Sequence, residues 1–322
     1  MDRIKVGVIG VGHLGRFHAL NYAQMPDVEL IGVTDLDKTR ADQVAAEARC
    51  RAYADPESLL GDVEAVSLAV PTDRHHAIGL RVLEKKVHCL VEKPIAGTLD
   101  EADDLIRAAG KNSLVFQVWH VERFNPAIRA LEGHAVHPRF IEAHRLAQFN
   151  PRGTEVSVIL DLMIHDIDIA LHLVQAPVAR VDASGVAVVS NTVDIANARI
   201  QFENGAVANL TASRISQKKM RKTRLFQKDA YISLDFLDKV TEIYSLEPGG
   251  RAADMVLGEI GVGDRKRRVV YRRLDVPEKQ GLRLELEAFA GSVRGEKTPA
   301  VNGADGRLAL AVAMDILKRM EG

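Results

Sequence analysis

The sequence predicts two domains of different class. An α/β domain with a doubly wound parallel sheet covers residues 1–122, and an α+β domain with a largely antiparallel open sheet covers residues 123–322. Three observations predict this. Strand and helix patterns alternate through the first part of the chain, and Gly10-Val11-Gly12-His13-Leu14-Gly15 separates the first strand from the first helix. After residue 122 strands follow one another with few helices between them. Alternation implies a parallel sheet with helices on both faces, and succession implies antiparallel pairing.

Ile4 to Ile9 is a short β-branched run, followed by the glycine turn and a helix to about Met25. Val28 to Thr34 is the next strand, and residues 38–48, rich in Ala and Glu, are helical. Strands are expected at 65–70, 87–91 and 114–118, with helices at 74–85 and 99–110 between them. In the second domain 139–148 is a strand and 157–174 a single helix. Strands then run at about 179–189, 194–203, 206–215, 223–228, 230–236, 239–246 and 267–275. Asn204-Gly205 between two of them is a hairpin signal, because both residues accept positive φ. Helices return at 282–293 and 304–320. In the last one Leu310, Ala313, Met314, Leu317 and Met320 fall at helical spacing and are expected to face a core. The sheet of this domain has one face available to a partner subunit, so a homodimer or homotetramer is expected.

A length of 322 residues fits two domains, and 47% hydrophobic residues suffice for packed cores. The 43 Lys plus Arg and 44 Asp plus Glu nearly cancel, which removes any global charge argument for nucleic acid or a membrane surface. No apolar run reaches the length of a membrane span. The start of the chain enters a strand with no signal-peptide apolar region. Cys50 and Cys89 are too few for a disulfide framework, so a reducing cytoplasm is expected. Lys218 to Lys222 and Arg265 to Arg268 are read as solvated loops and strand faces, with a role toward an anionic substrate or a subunit as the alternative and no accompanying nucleic-acid motif.

The glycine motif follows a buried strand and opens a helix, the context a dinucleotide needs. Gly10 permits the tight turn, Gly12 lets backbone approach a pyrophosphate, and Gly15 lets helix and strand pack closely. His13 and Leu14 begin the helix, whose free N–H groups favour phosphate. Asp35 ends the second strand, where an acid binds a ribose 2′-hydroxyl and repels a 2′-phosphate. NAD is therefore expected over NADP, with Lys38 and Arg40 nearby weakening the preference. Thr72 either touches the cofactor or, with Asp73, caps the next helix. His75 and His76 are expected on the surface of that helix's first turn. Glu92-Lys93-Pro94 follows a buried strand and points into the same crevice. Whether Pro94 follows a cis peptide is left open. No metal site is expected.

These motifs, with Asp161-x-x-x-His165-x-x-Asp168 further on, resemble the glucose–fructose oxidoreductase / inositol dehydrogenase / rhizopine catabolism family in order and spacing over nearly the whole chain. The resemblance implies a Rossmann domain followed by an α+β domain. It implies oxidation or reduction of a carbinol on a sugar or cyclitol with NAD(P), and places Lys93, Asp161 and His165 at the catalytic positions. Glu92 and Lys93 are also expected beside the cofactor. The residues themselves agree: Asp161, His165 and Asp168 share one face of a helix that Leu160, Ile164, Ile167 and Leu171 would bury. A buried Asp161 would orient the imidazole and favour its charged form, so that His165 takes the alcohol proton while Lys93 tempers its basicity. Asp168 either supports the helix or touches substrate. One departure is visible: where the family often has glycines before the Asp and between Asp and His, this chain has Thr154-Glu155-Val156-Ser157 and Leu162-Met163-Ile164. Backbone approach to substrate is expected to differ there.

Glu122-Arg123-Phe124-Asn125-Pro126, Glu142-Ala143-His144-Arg145, Pro151-Arg152-Gly153 and the stretch from Leu160 to Asp168 are similar to a narrower branch. That branch oxidises UDP-N-acetylglucosamine at the 3-position in lipid A biosynthesis. A diphosphate needs cations or backbone donors, and Arg123, Arg145, Arg152 and Arg214 are candidates, each alternatively solvated or paired with a carboxylate. A free-sugar or inositol dehydrogenase and a catalytically silent NAD-binding regulator are the rival expectations.

Overall fold

A computed structural model describes residues 3–150, 156–247, 255–261, 266–276 and 280–320. The chain forms two compact units: residues up to Val121 with Gly281–Leu310, and Glu122–Gln280 with Ala311 onward. The strand–helix pattern changes close to this 121/122 division, at about residue 122. The return of 281–310 to the first unit is not visible in that pattern.

In the first unit the strands are β1 (Ile4–Ile9), β2 (Val28–Thr34), β3 (Arg51–Ala52), β4 (Ala65–Leu68), β5 (His88–Glu92) and β6 (Phe116–Trp119). All pair in parallel, in the order β3-β2-β1-β4-β5-β6. The helices are α1 (His13–Tyr22), α2 (Lys38–Ala48), α3 (Pro56–Leu60), α4 (His75–Glu84) and α5 (Leu99–Lys111), joined by α8 (Gly281–Val293) from the C-terminal segment. Order reverses between β1 and β4, so the ends of β1, β2, β4 and β5 open on one edge of the sheet, where such folds bind ligands. Sequence reading misses β3, which has two residues, and α3, which has five; neither is long enough to show a period. The clearest local signal is at α5, where the Thr98 side chain accepts from Glu101 N–H and the Glu101 carboxylate accepts from Thr98 N–H. Val6, Val8, Tyr22 and Trp119 share a core with Leu286, Phe289 and Ala290 of α8, which is why that helix belongs to this unit.

In the second unit β7 (Phe140–Leu146), β8 (Val178–Val186), β9 (Ile195–Phe202), β10 (Val207–Ser213), β11 (Met220–Gln227), β12 (Ala230–Asp235), β13 (Val240–Glu247), β14 (Met255–Ile260) and β15 (Arg267–Arg273) form one sheet. Its order is β14-β15-β13-β12-β11-β7-β10-β9-β8, antiparallel except where β7 and β10 run in parallel. Gly205 takes φ +79° in the β9–β10 hairpin, as its position predicts. The strand β14 is a missed edge strand with all six residues exposed, so burial leaves no alternation to read. α6 (Pro126–Arg129) is a single turn that Asn125 caps. The expected helix 157–174 divides: residues Ile159–Met163 form a π-helical turn and Ile164–Val174 the α-helix α7.

The final helix, α9 (Gly303–Met320), contributes to both units. Its buried stripe runs through Ala309, Leu310, Val312, Ala313 and Ile316. Met314, Leu317 and Met320, expected in the core, are half-buried at its flank.

Candidate functional site

At the end of β1, Gly10 adopts φ +83°, and a Cβ there would lie 2.6 Å from the Ala69 carbonyl oxygen. A Cβ on Gly15 would lie 1.9 Å from the Gly10 carbonyl oxygen, so only glycine lets α1 begin so close to the turn. Gly12 differs: a Cβ would meet nothing within 4 Å, and Gly12 stands at the N-terminus of α1 with no side-chain cap. The first N–H groups of α1 thus face an open space, the geometry that suits a phosphate. These residues fit a dinucleotide. His13 and Leu14 are both exposed on the first turn.

Asp35, just past β2, is held by its neighbours. Its carboxylate accepts from Val11 N–H at 2.8 Å and Asp37 N–H at 2.9 Å, and from the Arg40 guanidinium at 3.3 Å. A groove of about 420 Å³ lies alongside, lined by Gly12, His13, Arg16, Arg40 and Glu47 among others. Arg16 pairs there with Glu47 at 2.7 Å. Leu36, fully exposed, follows the carboxylate. Sequence reading passes over Arg16, Glu47 and Leu36, whose exposure or pairing appears only in the fold.

Thr72 is half-buried in a 3₁₀ turn and makes no capping hydrogen bond, so the capping alternative is not what the fold uses. His75 is wholly buried, against the surface position expected for it. Its ring nitrogens lie 2.9 Å from the carbonyl oxygens of Val70 and Pro94, and an N–H that one of these backbone carbonyls accepts is what lets the ring be buried. His76 is partly exposed and meets Asp104 at 3.2 Å. Lys93 is half-buried directly after β5, and the Lys93–Pro94 peptide is cis. Glu92 is buried beneath it. Burial pushes the Glu92 carboxyl well above its usual range, against the pull of Lys93. The Glu92 carboxylate lies 3.8 Å from Nε2 of the buried His18, whose ring stands edge-on to Trp119 at 4.4 Å.

In the second unit Asp161 lies in the π turn and His165 in the first turn of α7. Such turns recur at functional sites. The pair is less buried than the sequence reading expects: Asp161 is exposed and His165 half-buried. Val158, Ile159, Met163 and Ile164 occupy the inner side of the turn and leave Asp161 outward. Asp168 takes the helix-supporting alternative. It is buried and receives two hydrogen bonds from Arg123, at 2.7 and 2.8 Å.

The candidate arginines are placed as follows. Arg145 is buried and bonds Asp166 at 2.8 and 2.9 Å and Glu122 at 2.7 Å. Burial works to raise the Glu122 carboxyl, but Arg145 and Arg221 prevail and hold it below its usual range. Arg123 and Arg145 therefore have carboxylate partners. Arg214 is buried and donates to the Val156 carbonyl. Arg152, Thr154 and Glu155 of the lead-in, and Arg265 lie outside the described residues. In the basic stretches Lys218, Lys219, Arg221, Lys222, Lys266, Arg267 and Arg268 are all exposed, and several meet nearby acids. Among the described residues no helix is long and apolar enough to cross a membrane.

Known proteins share this arrangement. Residues 4–120 match the oxidoreductase family with an NAD-binding Rossmann fold, and residues 127–232 match the GFO/IDH/MocA C-terminal domain. The chain is 41% identical over 323 residues to UDP-N-acetylglucosamine 3-dehydrogenase of Acidithiobacillus ferrooxidans, covering 100% of this chain and 98% of that one. A solved structure of that enzyme, GnnA, superimposes with a TM-score of 0.89 at 39% identity, covering 100% and 99% of the two chains. Myo-inositol 2-dehydrogenase of Thermotoga maritima is 26% identical over 337 residues, covering 99% and 96%. With both of its units matched and a relative aligned from end to end, the chain belongs to the GFO/IDH/MocA family of NAD-binding oxidoreductases.

Proposed function

We propose that this protein oxidises UDP-N-acetylglucosamine at the 3-position to a 3-keto sugar nucleotide, with NAD as hydride acceptor, as a step toward lipid A. The observation that carries this reading is the 41% identity, over the whole chain, to an enzyme of that activity. The inositol dehydrogenase relative is more distant, at 26%.

NAD, when bound, accepts the hydride that leaves the carbinol carbon. The protein's own groups do the rest. His165 takes the hydroxyl proton as the C–H bond breaks, so one proton and one hydride leave and a ketone forms. Asp161, four residues earlier, favours the imidazolium that results. Lys93 donates a hydrogen bond to the reacting oxygen and stabilises the negative charge that develops there. Asp35 selects a free ribose 2′-hydroxyl, supporting NAD over NADP. The protein works as a cytoplasmic homo-oligomer, a second copy covering the uncovered sheet face of its second unit. Two free cysteines, Cys89 buried and Cys50 half-buried, suit a reducing compartment.

The test is NADH formation with UDP-N-acetylglucosamine, glucose and myo-inositol, with the ketone product trapped by a coupled transamination. We expect turnover with the sugar nucleotide alone, and in His165→Ala a loss of at least 100-fold in kcat with NAD affinity unchanged. Turnover of free polyols only would reject the sugar nucleotide, and unimpaired His165→Ala would remove the base.

A further inference from the structure

Two side chains on α7 are clamped by arginines from elsewhere in the second unit, and the clamps stand on either side of His165. Asp166 receives Nε and Nη2 of Arg145, and Asp168 receives Nε and Nη2 of Arg123. All four side chains are at most 8% exposed. At 3.6 residues per turn, Asp166 projects about 100° to one side of His165 and Asp168 about 60° to the other. One ion pair would let the helix roll about its contact. Two pairs, from opposite flanks, fix the roll.

The arginines are themselves held. Nη1 of Arg145 bonds Glu122 at 2.7 Å, and Glu122 also receives Asn125 at 3.0 Å and Arg221 at 3.2 Å. Nη1 of Arg123 donates to Nδ1 of His172 at 2.8 Å, one turn further along α7. A guanidinium has no lone pair to offer, so it is the donor. At the other end of α7 the π turn interrupts the regular ladder, so the start of the helix sets its roll less firmly than a continuous α-helix would.

We infer that Arg145 and Arg123 are positioning residues that set the roll of α7, and with it the direction in which His165 presents its imidazole. This rests on the reading of His165 as the base. Buried ion pairs are often no more stabilising than apolar side chains of the same volume. What a two-pronged arginine–carboxylate pair adds is angle. With the imidazole some 6–7 Å from the helix axis, a roll of about 10° moves it roughly 1 Å, a displacement that lowers turnover by about 100-fold.

The experiment replaces the whole outer clamp by apolar side chains in Arg123→Met/Asp168→Met and, separately, keeps the charge but removes the fork in Arg123→Lys. Four readouts are taken: melting temperature, NAD affinity by calorimetry, kcat and KM with UDP-N-acetylglucosamine, and the His165 ring signals by nitrogen NMR. We expect a melting temperature close to the parent's, unchanged NAD affinity, KM within about threefold and kcat at least tenfold lower. The ring signals are expected to shift or broaden in both variants. Parental kcat together with parental ring signals would overturn the inference. So would an activity loss that only follows the loss of folded protein. Should the double variant fail to fold, Arg123→Lys decides by the same readouts. Should His165→Ala retain full turnover, the reading of the base fails, and the His165 ring signals alone decide whether the clamp sets its orientation.

Discussion

Asp35 carries three hydrogen bonds before any nucleotide arrives, and two of them come from backbone. It is therefore a brace for the glycine turn, through Val11, and on the proposed function also the negative charge that meets the ribose. Replacing it by alanine removes both roles at once. Asparagine keeps an acceptor for Val11 N–H and removes the charge. We expect Asp35→Asn to weaken NAD by about tenfold, the scale of one charged hydrogen bond, and to tighten NADP, with Arg40 freed to meet the 2′-phosphate. Calorimetry with both cofactors checks this; an unchanged ratio of the two affinities would deny Asp35 its selective role. The glycine motif and this acid were legible because each rests on a property of one residue type at one spacing. His75 was not, because the backbone carbonyls that its ring meets leave no pattern in the sequence. The same holds for the arginines. Their charge was legible, but the carboxylates that take them, Glu122, Asp166 and Asp168, come from separate segments and meet only in the fold.

Helix α1 is seated on the parallel sheet partly through His18, wholly buried, with neither ring nitrogen hydrogen-bonded among the described residues. Burial pulls its pKa from 6.5 down to about 3. The unfolded chain binds this proton near pH 6.5 and the folded one does not, so the seat is fully favourable above about 6.5 and loses stability as pH falls toward 3. Each tenfold rise in proton concentration across that window costs about 1.4 kcal/mol. Glu92 acts in the opposite sense: its folded pKa is raised, so its contribution is present below its ordinary 4.5 and declines as pH rises. The His18 limb is thus isolated as the difference between parent and His18→Phe. Denaturant unfolding at pH 7, 6, 5 and 4 is expected to show the parent losing stability faster than the variant as pH falls. Parallel curves would mean that His18 does not cross the folding transition uncharged. Elements of this unit were legible where periodicity had room to show, as at α5. The π turn of the second unit was not, since the i, i+4 spacing of Asp161 and His165 in the sequence is the same whether an α or a π turn forms.

At the scale of the whole molecule the proposed assembly turns on the second sheet. One face buries Ile141, Ala143, Leu225, Ile232, Ile243 and Val270. The other carries a row of rings at one register across five strands: Phe140, Phe226, Tyr231, Tyr244 and Tyr271, with successive centroids 5.0–5.7 Å apart. Flanking it, Glu142 meets Arg224 and Asn197 meets Thr211 across the strands. Nine strands about 4.8 Å apart and roughly 20–25 Å long present about 770–960 Å², close to the area each partner contributes to an ordinary stable interface. Aromatic rings ringed by paired polar groups have the composition of such an interface. The sequence raises the same expectation, since successive strands with one apolar face leave the other available to a partner. The row itself was hidden, because register is set by pairing and not by spacing along the chain. We expect the parent to sediment as a dimer or larger at micromolar concentration. Tyr244→Glu, which puts a charge in the middle of the row, is expected to sediment as a monomer with an unchanged circular dichroism spectrum. A control change on the first unit, Lys86→Glu, is expected to leave the assembly intact. If the parent is itself a monomer, or if Tyr244→Glu assembles as the parent does, the ringed face is not where a second copy sits.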